Sequence, residues 1–549
     1  MLSRERIAAQ RGEPYKHAMK IVFITLFDEF CLGVRYISAV LRRAGHETAI
    51  VHVRRLEDIN RFPEQVGQED YFLPPAYVSA REIALLQETL DRLRPDLIGF
   101  SLTSNFVALA EHLTRLVRPA VRQGTKIVWG GIDMLADPER ALRSADIICR
   151  GEGEEAMLEL VEALEHGSDW RGIADLWVRD GERIVRNPAR PPRQDLDQLP
   201  YPDHDLSHSY SIYDNKVVTG RYPEGSQLND YYVIITARGC PYRCTYCCSP
   251  AVKALYDGHR YYRRRRVETV IDELRQQKRT RGESLVFIGF HDDVFTINPK
   301  WIKEFAAAYK KEIGLRFWCY TFPTVTRRDM MEQLKDAGLD YVIMGLQAGG
   351  QRVLNEVFRR KTPREAIVEA MTILTDLGIT VIIDLIGSNP FETEEDRWET
   401  FELLASLPRP FAIHPVNPLT LYKGSEIVEM ARRRPEIWAE IEEYNNDYLA
   451  KPKPIYDFWN ALHELCQYDC FSRDELYAFA RDEYLRGHPG YLQMLNRIIK
   501  PLYYFDSNVS VVKDRYVREL QDRVYALEHP SLRQLVRRMA HLPRRPHAR

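Results

Sequence analysis

Hydrophobic and polar positions alternate along residues 20–129 in short strand-like and longer helical patterns. Runs rich in β-branched and aromatic residues predict strands, and apolar residues three and four apart predict helices between them. The predicted strands are 20–26, 48–53, 96–102 and 126–129, and the predicted helices are 35–43, 80–93 and 107–118. This regular alternation indicates a Rossmann-like α/β domain, with a parallel sheet covered by helices on both faces.

A second series of strand and helix patterns starts near residue 231, after a stretch, 187–202, that contains five prolines. Neither a helix nor a central strand tolerates so many prolines, so we interpret this stretch as a linker. The predicted strands of the second series are 232–236, 285–290, 316–320, 341–346, 380–386 and 411–416. Six such units predict a partial (β/α)6 barrel, with its chemistry at the C-terminal ends of the strands.

These patterns divide the chain into three regions. We predict a Rossmann-like domain with its linker in 1–195, the partial barrel in 196–425 and an α-helical C-terminal domain in 426–549. The 549 residues are 45% hydrophobic and 28% charged, which is typical of a soluble globular protein.

Charge and hydropathy narrow the expected partners and location. The net charge of −2 gives no general attraction to nucleic acids, so we expect no nucleic-acid partner. No apolar run approaches the ~20 residues of a transmembrane helix. The first 20 residues lack the apolar core of a signal peptide, so a cytoplasmic location is expected.

Nine cysteines are too few for a disulfide scaffold, but three of them lie within eight positions. Cys240, Cys244 and Cys247 have the spacing C-x3-C-x2-C. Thiolates are the usual ligands of iron–sulfur clusters, and three on one loop leave the fourth iron of a [4Fe–4S] cubane open to a substrate or cofactor. A zinc site or three unrelated thiols are the alternatives, but zinc normally requires a fourth Cys or His at a recognisable spacing, and none is evident.

The loop 238–250, which follows the first predicted barrel strand, resembles the signature of the radical S-adenosylmethionine (SAM) superfamily. The resemblance implies that the open iron binds SAM and that reductive cleavage yields a 5′-deoxyadenosyl radical, which abstracts a hydrogen atom from the substrate. Gln347 stands where the family has an acidic residue, so an amide would contact the ribose there. The SAM-binding residues implied by the resemblance are Tyr246, Asp292, Asp293, Gln347, Asp384 and Ser388.

The turns of the first series resemble those of cobalamin-binding domains. Asp28-Glu-Phe-Cys-Leu-Gly33 matches the motif Asp-x-His-x-x-Gly except at Phe30, which takes the position of the histidine. Because phenylalanine cannot ligate cobalt, we expect the lower face of the cobalamin to lack a histidine. The implied cobalamin contacts are Asp28, Phe30, Gly33, Ser101, Thr103, Gly130, Gly131, Gly151 and Glu152. A Rossmann-like domain that has lost its ligand is the alternative.

Together these motifs resemble the cobalamin-binding radical SAM enzymes, and the resemblance implies methylation of an unactivated carbon through methylcobalamin. Radical cyclisation, oxidation or rearrangement with the same cofactors is the alternative reaction, and a non-catalytic iron–sulfur protein is the alternative class. The implied partners are a small-molecule substrate, such as a biosynthetic intermediate, and a reducing protein such as flavodoxin or ferredoxin. The basic run 260–266 is expected to be a solvated, partly anion-contacting loop rather than an RNA site.

Overall fold

A computed structural model of the protein describes residues 18–54, 78–224, 226–442, 449–450 and 458–504. Parts of the predicted N-terminal and C-terminal domains therefore lie outside the described residues. The chain divides into two compact units. The first comprises Met1–Tyr320, Glu332–Asp340 and Thr420–Lys453, and the second comprises Thr321–Met331, Tyr341–Leu419 and Pro454–Arg549. Within the described ranges, no helix combines the length and the apolar character required to cross a membrane.

The first unit contains a nine-stranded sheet in the order β7-β6-β5-β4-β3-β1-β2-β8-β9. Its strands are β1 (Lys20–Leu26), β2 (Glu47–Val53), β3 (Leu97–Ser101), β4 (Lys126–Gly130), β5 (Ile147–Cys149), β6 (Leu176–Asp180), β7 (Arg183–Arg186), β8 (Ser209–Tyr213) and β9 (Lys216–Thr219). The pairs among β1 to β5 are parallel, which confirms the predicted Rossmann-like sheet.

Helices cover both faces of this sheet, because alternate residues of β1 point to opposite sides. Ile21 and Phe23 belong to one buried cluster, and Val22 and Ile24 belong to another. Residues of α1 and α5 pack in the first cluster, and residues of α2, α3 and α4 pack in the second. The helices are α1 (Leu32–Arg43), α2 (Ala80–Leu93), α3 (Val107–Val117), α4 (Pro138–Ser144) and α5 (Gly153–His166).

The proline-rich stretch between the two series is packed rather than free. The guanidinium of Arg190 binds the carboxylates of Asp175, Glu155 and Glu159, and so ties this stretch to α5. After it, β8 pairs in parallel with β2, and β9 pairs antiparallel with β8. The N-terminal sheet therefore takes two strands from beyond residue 195.

The six predicted barrel strands are present and are divided between the units. In the first unit β13 pairs in parallel with β10 and with β14, and in the second β16 pairs in parallel with β15, β17 and β18. A short antiparallel pair, β11 with β12, lies in the first unit. These strands are β10 (Tyr231–Ile234), β11 (Ala237–Arg238), β12 (Arg263–Arg264), β13 (Phe287–Phe290), β14 (Arg316–Thr321), β15 (Leu339–Gln347), β16 (Thr380–Gly387), β17 (Ala412–Ile413) and β18 (Asn417–Pro418).

Helices connect these strands, as the βα pattern predicts. They are α6 (Ser249–Leu255), α7 (Val267–Arg281), α8 (Pro299–Glu312), α9 (Arg328–Ala337), α10 (Arg364–Asp376) and α11 (Glu394–Ser406). The described part of the C-terminal region is mainly helical and adds one short antiparallel strand pair. Its elements are β19 (Leu421–Tyr422), α12 (Glu426–Arg432), α13 (Pro435–Glu442), β20 (Leu449–Ala450), α14 (Phe458–Leu465), α15 (Arg473–Arg481), α16 (Glu483–Gly487) and α17 (Gly490–Tyr504).

Candidate functional site

The cysteine-bearing loop, residues 239–248, connects β11 to α6 and is called the cluster loop below. Gly239 begins it with a φ of 87°, and a Cβ at this position would lie 2.6 Å from the carbonyl oxygen of Tyr261. Only glycine fits both constraints. The backbone N–H of Ser249 donates to Cys247 Sγ over 3.4 Å, and that of Cys247 donates to the Cys244 carbonyl over 3.2 Å. The loop backbone thus orients the sulfur ligands.

The donor set of this loop suits an iron–sulfur cluster. Cys244 is buried, Cys240 and Cys247 are half-buried, and the neighbouring Cys248 is exposed. Burial raises the pKa of the Cys240 thiol to about 12, and nearby acidic groups add to the rise, so a metal is needed to keep it as a thiolate. Among the described residues, no three His, Cys, Asp or Glu side chains converge on one metal ion. The thiolates of a cubane bind separate irons, so they do not need to converge in this way.

The consecutive residues Asp292 and Asp293 follow β13 and have different surroundings. Asp292 is buried, and its carboxylate accepts the backbone N–H groups of Thr236 (2.5 Å) and Ala237 (3.0 Å) and pairs with Arg264 (3.0 Å). Asp293 is exposed, yet the protein around it removes enough hydration to raise its pKa above 3.8, and the charge of Asp292 adds to this. A crowded carboxylate of this kind is stabilised by a cationic ligand.

The central residues of the basic run 260–266 contact acidic groups, as expected, but their side chains are buried rather than solvated. Arg263, Arg264 and Arg265 have side chains that are 2%, 6% and 5% exposed. Each meets a carboxylate within 3.0 Å, and the partners are Glu152, Asp292 and Glu273 respectively. The sequence did not predict this burial or these particular partners, because the three carboxylates come from separate elements.

The loop between β1 and α1 carries the cobalamin motif and is held by its own side chains. Asp28 Oδ1 accepts the backbone N–H of Cys31 over 2.8 Å, and the buried Arg35 donates to the Glu29 and Phe30 carbonyls over 2.9 Å each. Burial is the main reason that the pKa of Asp28 is raised. A Cβ on Gly33 would have no atom within 4 Å. This open position suits the approach of a ligand.

Phe30 packs against side chains that precede and follow barrel strands. Its ring centroid lies 5.7 Å from that of His291 and 6.0 Å from that of Tyr231. The Trp318 indole donates to the Tyr231 hydroxyl over 2.8 Å, and this hydroxyl lies 3.3 Å from His291 Nε2. Burial lowers the pKa of His291 to about 4, so the imidazole is neutral near pH 7. Phe30 therefore adjoins a largely apolar aromatic group.

The turns after β3 and β4 lie side by side, because Ser101 and Gly130 are paired in register. Ser101 is half-buried and Thr103 is exposed. Gly131 has a φ of 101°, and a Cβ there would collide with the backbone of Leu102. The fold itself therefore requires glycine at this position. A Cβ on Gly130 would meet its nearest atoms at 3.9 Å, so protein packing does not demand this glycine. The position lies at the strand ends, where open α/β sheets bind ligands.

Gly151 and Glu152 lie against protein groups. A Cβ on Gly151 would lie 2.7 Å from the carboxylate of Asp175 and 3.0 Å from the hydroxyl of Tyr256. The carboxylate of Glu152 binds the guanidinium of Arg263, with Oε1 at 2.7 Å and Oε2 at 3.1 Å. These contacts explain both residue types without a ligand.

The second unit holds three of the SAM-binding residues implied by the sequence. Gln347 has a φ of 71°, and its side chain lies over Gly345, where a Cβ would be 2.5 Å from the amide nitrogen. Asp384 Oδ1 lies 2.5 Å from His414 Nδ1. Ser388 accepts a hydrogen bond of 2.8 Å from the amide of Asn460 on α14. Sequence reasoning missed Asn460, because nothing in an amphipathic helix 72 residues away signals this contact.

The remaining implied SAM contact, Tyr246, is half-buried in the cluster loop. It lies in the first unit with Asp292 and Asp293, whereas Gln347, Asp384 and Ser388 lie in the second.

Two regions of the chain match family models. Residues 234–404 match the radical SAM superfamily, and residues 21–161 match the B12 binding domain. The chain is 26% identical to an uncharacterized methyltransferase of Pyrococcus horikoshii, over 63% of this chain and 71% of the relative. It is 27% identical to an anaerobic magnesium-protoporphyrin IX monomethyl ester cyclase of Rubrivivax gelatinosus, over 58% of this chain and 55% of the relative.

The fold is also similar to that of a solved structure. The cobalamin-dependent S-adenosylmethionine radical enzyme OxsB, with aqua-cobalamin and S-adenosylmethionine bound, superposes with a TM-score of 0.63 and 15% identity. The match covers 95% of this chain and 80% of OxsB.

Proposed function

The chain belongs to the cobalamin-binding-domain-containing radical SAM enzymes, whose cofactors are a [4Fe–4S] cluster, SAM and cobalamin, and we propose that it methylates an unactivated carbon of a small molecule. When bound, the reduced cluster and SAM supply a 5′-deoxyadenosyl radical, and cobalamin supplies a methyl group. Cys240, Cys244 and Cys247 would hold the cluster. The electron would come from a reducing protein such as flavodoxin or ferredoxin.

The observation that carries this proposal is the direct contact between the two cofactor-bearing segments in the first unit. Arg238, two residues before Cys240, lies 5.1 Å from the ring centroid of Tyr36 on α1, the helix that follows the cobalamin motif. Transfer of a methyl group to a substrate radical requires both cofactors to reach one substrate. The packing of Arg238, which precedes the cluster loop, against the cobalamin-binding domain would bring the two cofactors close enough to act on one substrate.

The chain's own residues would bind and orient the cofactors. Asp293 would offer a poorly hydrated carboxylate that accepts a hydrogen bond from the amino group of SAM, whereas Asp292 fixes the backbone that leads to the cluster loop. The aromatic group of Phe30, Tyr231, His291 and Trp318 would keep water from the reactive centre. Exclusion of water protects radicals from side reactions.

The second candidate reaction is radical cyclisation with the same cofactors, and it is favoured by the similarity to the cyclase. The two candidates differ in how they use SAM. Methylation consumes one SAM as methyl donor and one as radical source, so it forms S-adenosylhomocysteine as well as 5′-deoxyadenosine. Cyclisation forms only 5′-deoxyadenosine.

The test uses full-length protein reconstituted with iron, sulfide and cobalamin under anaerobic conditions, then reduced and supplied with SAM. We expect 5′-deoxyadenosine, together with S-adenosylhomocysteine in an amount equal to the bound cobalamin. Cys240→Ala should abolish 5′-deoxyadenosine and the cluster, whereas Cys248→Ala, which changes an exposed neighbour, should retain both. Formation of 5′-deoxyadenosine alone by cobalamin-loaded protein would overturn methylation in favour of the second candidate.

A further inference from the structure

We propose that Glu152 and Glu154 are positioning residues that hold the cluster loop on the cobalamin-binding domain through Arg238 and Arg263. The two glutamates lie in the region that matches the B12 binding domain, and the two arginines lie in the region that matches the radical SAM superfamily. All four belong to the first unit. The inference rests on the cofactors of the family and does not depend on which reaction they serve.

Arg238 is the first half of this connection. Its Nη2 lies 2.5 Å from Glu154 Oε1, and its Nη1 lies 3.5 Å from Glu152 Oε1. The side chain of Arg238 is only 19% exposed, and that of Glu154 is 7% exposed. Because Gly239 alone separates Arg238 from Cys240, a shift of this guanidinium would move the first cluster ligand.

Arg263 is the second half, and it acts on the same strand pair. Arg238 and Arg263 are opposite each other in the β11–β12 pairing. The fork of Arg263 binds both carboxylate oxygens of Glu152, and its Nε donates to the Tyr261 carbonyl over 2.9 Å. That carbonyl is the group against which Gly239 packs. The arginine therefore fixes the point at which the cluster loop begins.

Charge gives the connection its strength. The guanidinium of Arg238 faces the carboxylates of both Glu154 and Glu152. The pKa of Glu152 is lowered: burial opposes ionisation, but Arg238 and Arg263 more than offset it. Two guanidiniums and two carboxylates therefore lie together in this connection. Removing one carboxylate would leave two guanidiniums facing a single carboxylate, close to a cluster ligand.

The backbone of Glu152 is held as well. Its N–H donates to the Tyr256 hydroxyl over 2.9 Å, and Tyr256 follows α6, the helix that continues from the cluster loop. The segment 151–154 thus contacts Arg238, just before the cluster loop, and Tyr256, just after α6. This accounts for the acidic residue types of the segment without assigning them to cobalamin.

The first experiment measures hydrogen–deuterium exchange of the cluster loop in full-length protein without cofactors. We expect about tenfold faster exchange in Glu152→Gln and Glu154→Gln, because each loses a charge-assisted hydrogen bond. Glu155→Gln is the matched control, since Glu155 lies beside Glu154 on α5 but pairs with Arg190 and Arg193. Its loop exchange should equal that of the wild type. If the Gln variants fail to fold, Tyr256→Phe, which removes only the hydroxyl that accepts the Glu152 N–H, should also speed exchange.

The second experiment measures the midpoint potential of the reconstituted cluster. A change in nearby charge shifts this potential in a defined direction, whereas a more flexible loop alone does not. Glu154→Gln should make the potential more positive, because the positive charge of Arg238 is then less compensated and stabilises the reduced cluster. Glu154→Asp retains the charge and should keep the wild-type potential even where loop exchange is faster. Unchanged exchange in both Gln variants would overturn the proposal. Loss of cobalamin affinity in Glu152→Gln with normal loop exchange would instead make Glu152 a cobalamin contact.

Discussion

Asp292 and Asp293 are consecutive, yet the first is enclosed by hydrogen-bond donors, whereas the second is exposed and has lost part of its hydration without gaining a donor among the described residues. The two carboxylates therefore contribute to stability with opposite signs. Asp292 stabilises the start of the cluster loop. Asp293 is a cost to the unliganded protein that a cationic ligand would remove.

We predict that Asp293→Asn raises the melting temperature of the cofactor-free protein at neutral pH and weakens SAM binding. Because the pKa of Asp293 is raised in the folded protein, the wild type loses stability as the pH rises from 3.8 through the folded-state pKa. The stability gained by Asp293→Asn should therefore vanish below about pH 3.8. Asp292→Asn should instead lower the free energy of unfolding by about 3 kcal/mol, because it leaves the buried Arg264 without its ion pair. Thermal unfolding across pH and SAM titration would check both. A destabilised Asp293→Asn would contradict the assignment.

Gly130 and Gly131 provide a matched pair for the cobalamin site. Gly131→Ala should destabilise the cofactor-free protein by at least ~1–2 kcal/mol, because its positive φ and its contact with Leu102 both exclude a Cβ. Gly130→Ala should leave that stability unchanged but weaken cobalamin binding. Chemical denaturation and titration with hydroxocobalamin measure the two effects. Wild-type cobalamin affinity in Gly130→Ala would remove Gly130 from the site.

Phe30 leads to a prediction about cobalt ligation. We expect the electron paramagnetic resonance spectrum of the bound cob(II)alamin to show no nitrogen splitting, because Phe30 has no donor atom. His291, whose ring centroid is 5.7 Å from that of Phe30, is the nearby histidine to test. A splitting that disappears in His291→Ala would identify a ligand from the barrel. A splitting that persists would come from another base, and either result would contradict the prediction.

The pair of Asp384 and His414 is predicted to act as one group in SAM binding. Each of Asp384→Asn and His414→Ala should lower SAM affinity about tenfold, because either change removes the 2.5 Å contact that orients the carboxylate. The double variant should bind no more weakly than the single variants. Calorimetric titration of the cluster-loaded protein measures this coupling. Additive losses would show that the two side chains act separately.

Much of the fold could be predicted from local sequence, because it depends on local periodicity. The β-branched runs at 20–26 and 380–386 form β1 and β16 within one residue of the predicted ends, since alternation or continuous apolarity over a few residues is enough to specify a strand. The C-x3-C-x2-C spacing likewise predicts the cluster ligands, because three thiols that share one loop need no distant partner to be recognised.

Tertiary structure alone decided which polar residues have protein partners. Nothing local separates Arg260 from Arg263, but only the latter meets Glu152, which is 111 residues away. Nothing local separates Asp292 from Asp293, or Gly130 from Gly131, because the differences arise from Thr236, Arg264 and the backbone of Leu102. Local sequence fixes backbone conformation and residue chemistry. Burial and charge pairing depend on residues brought together by folding, and these determine what each side chain can do.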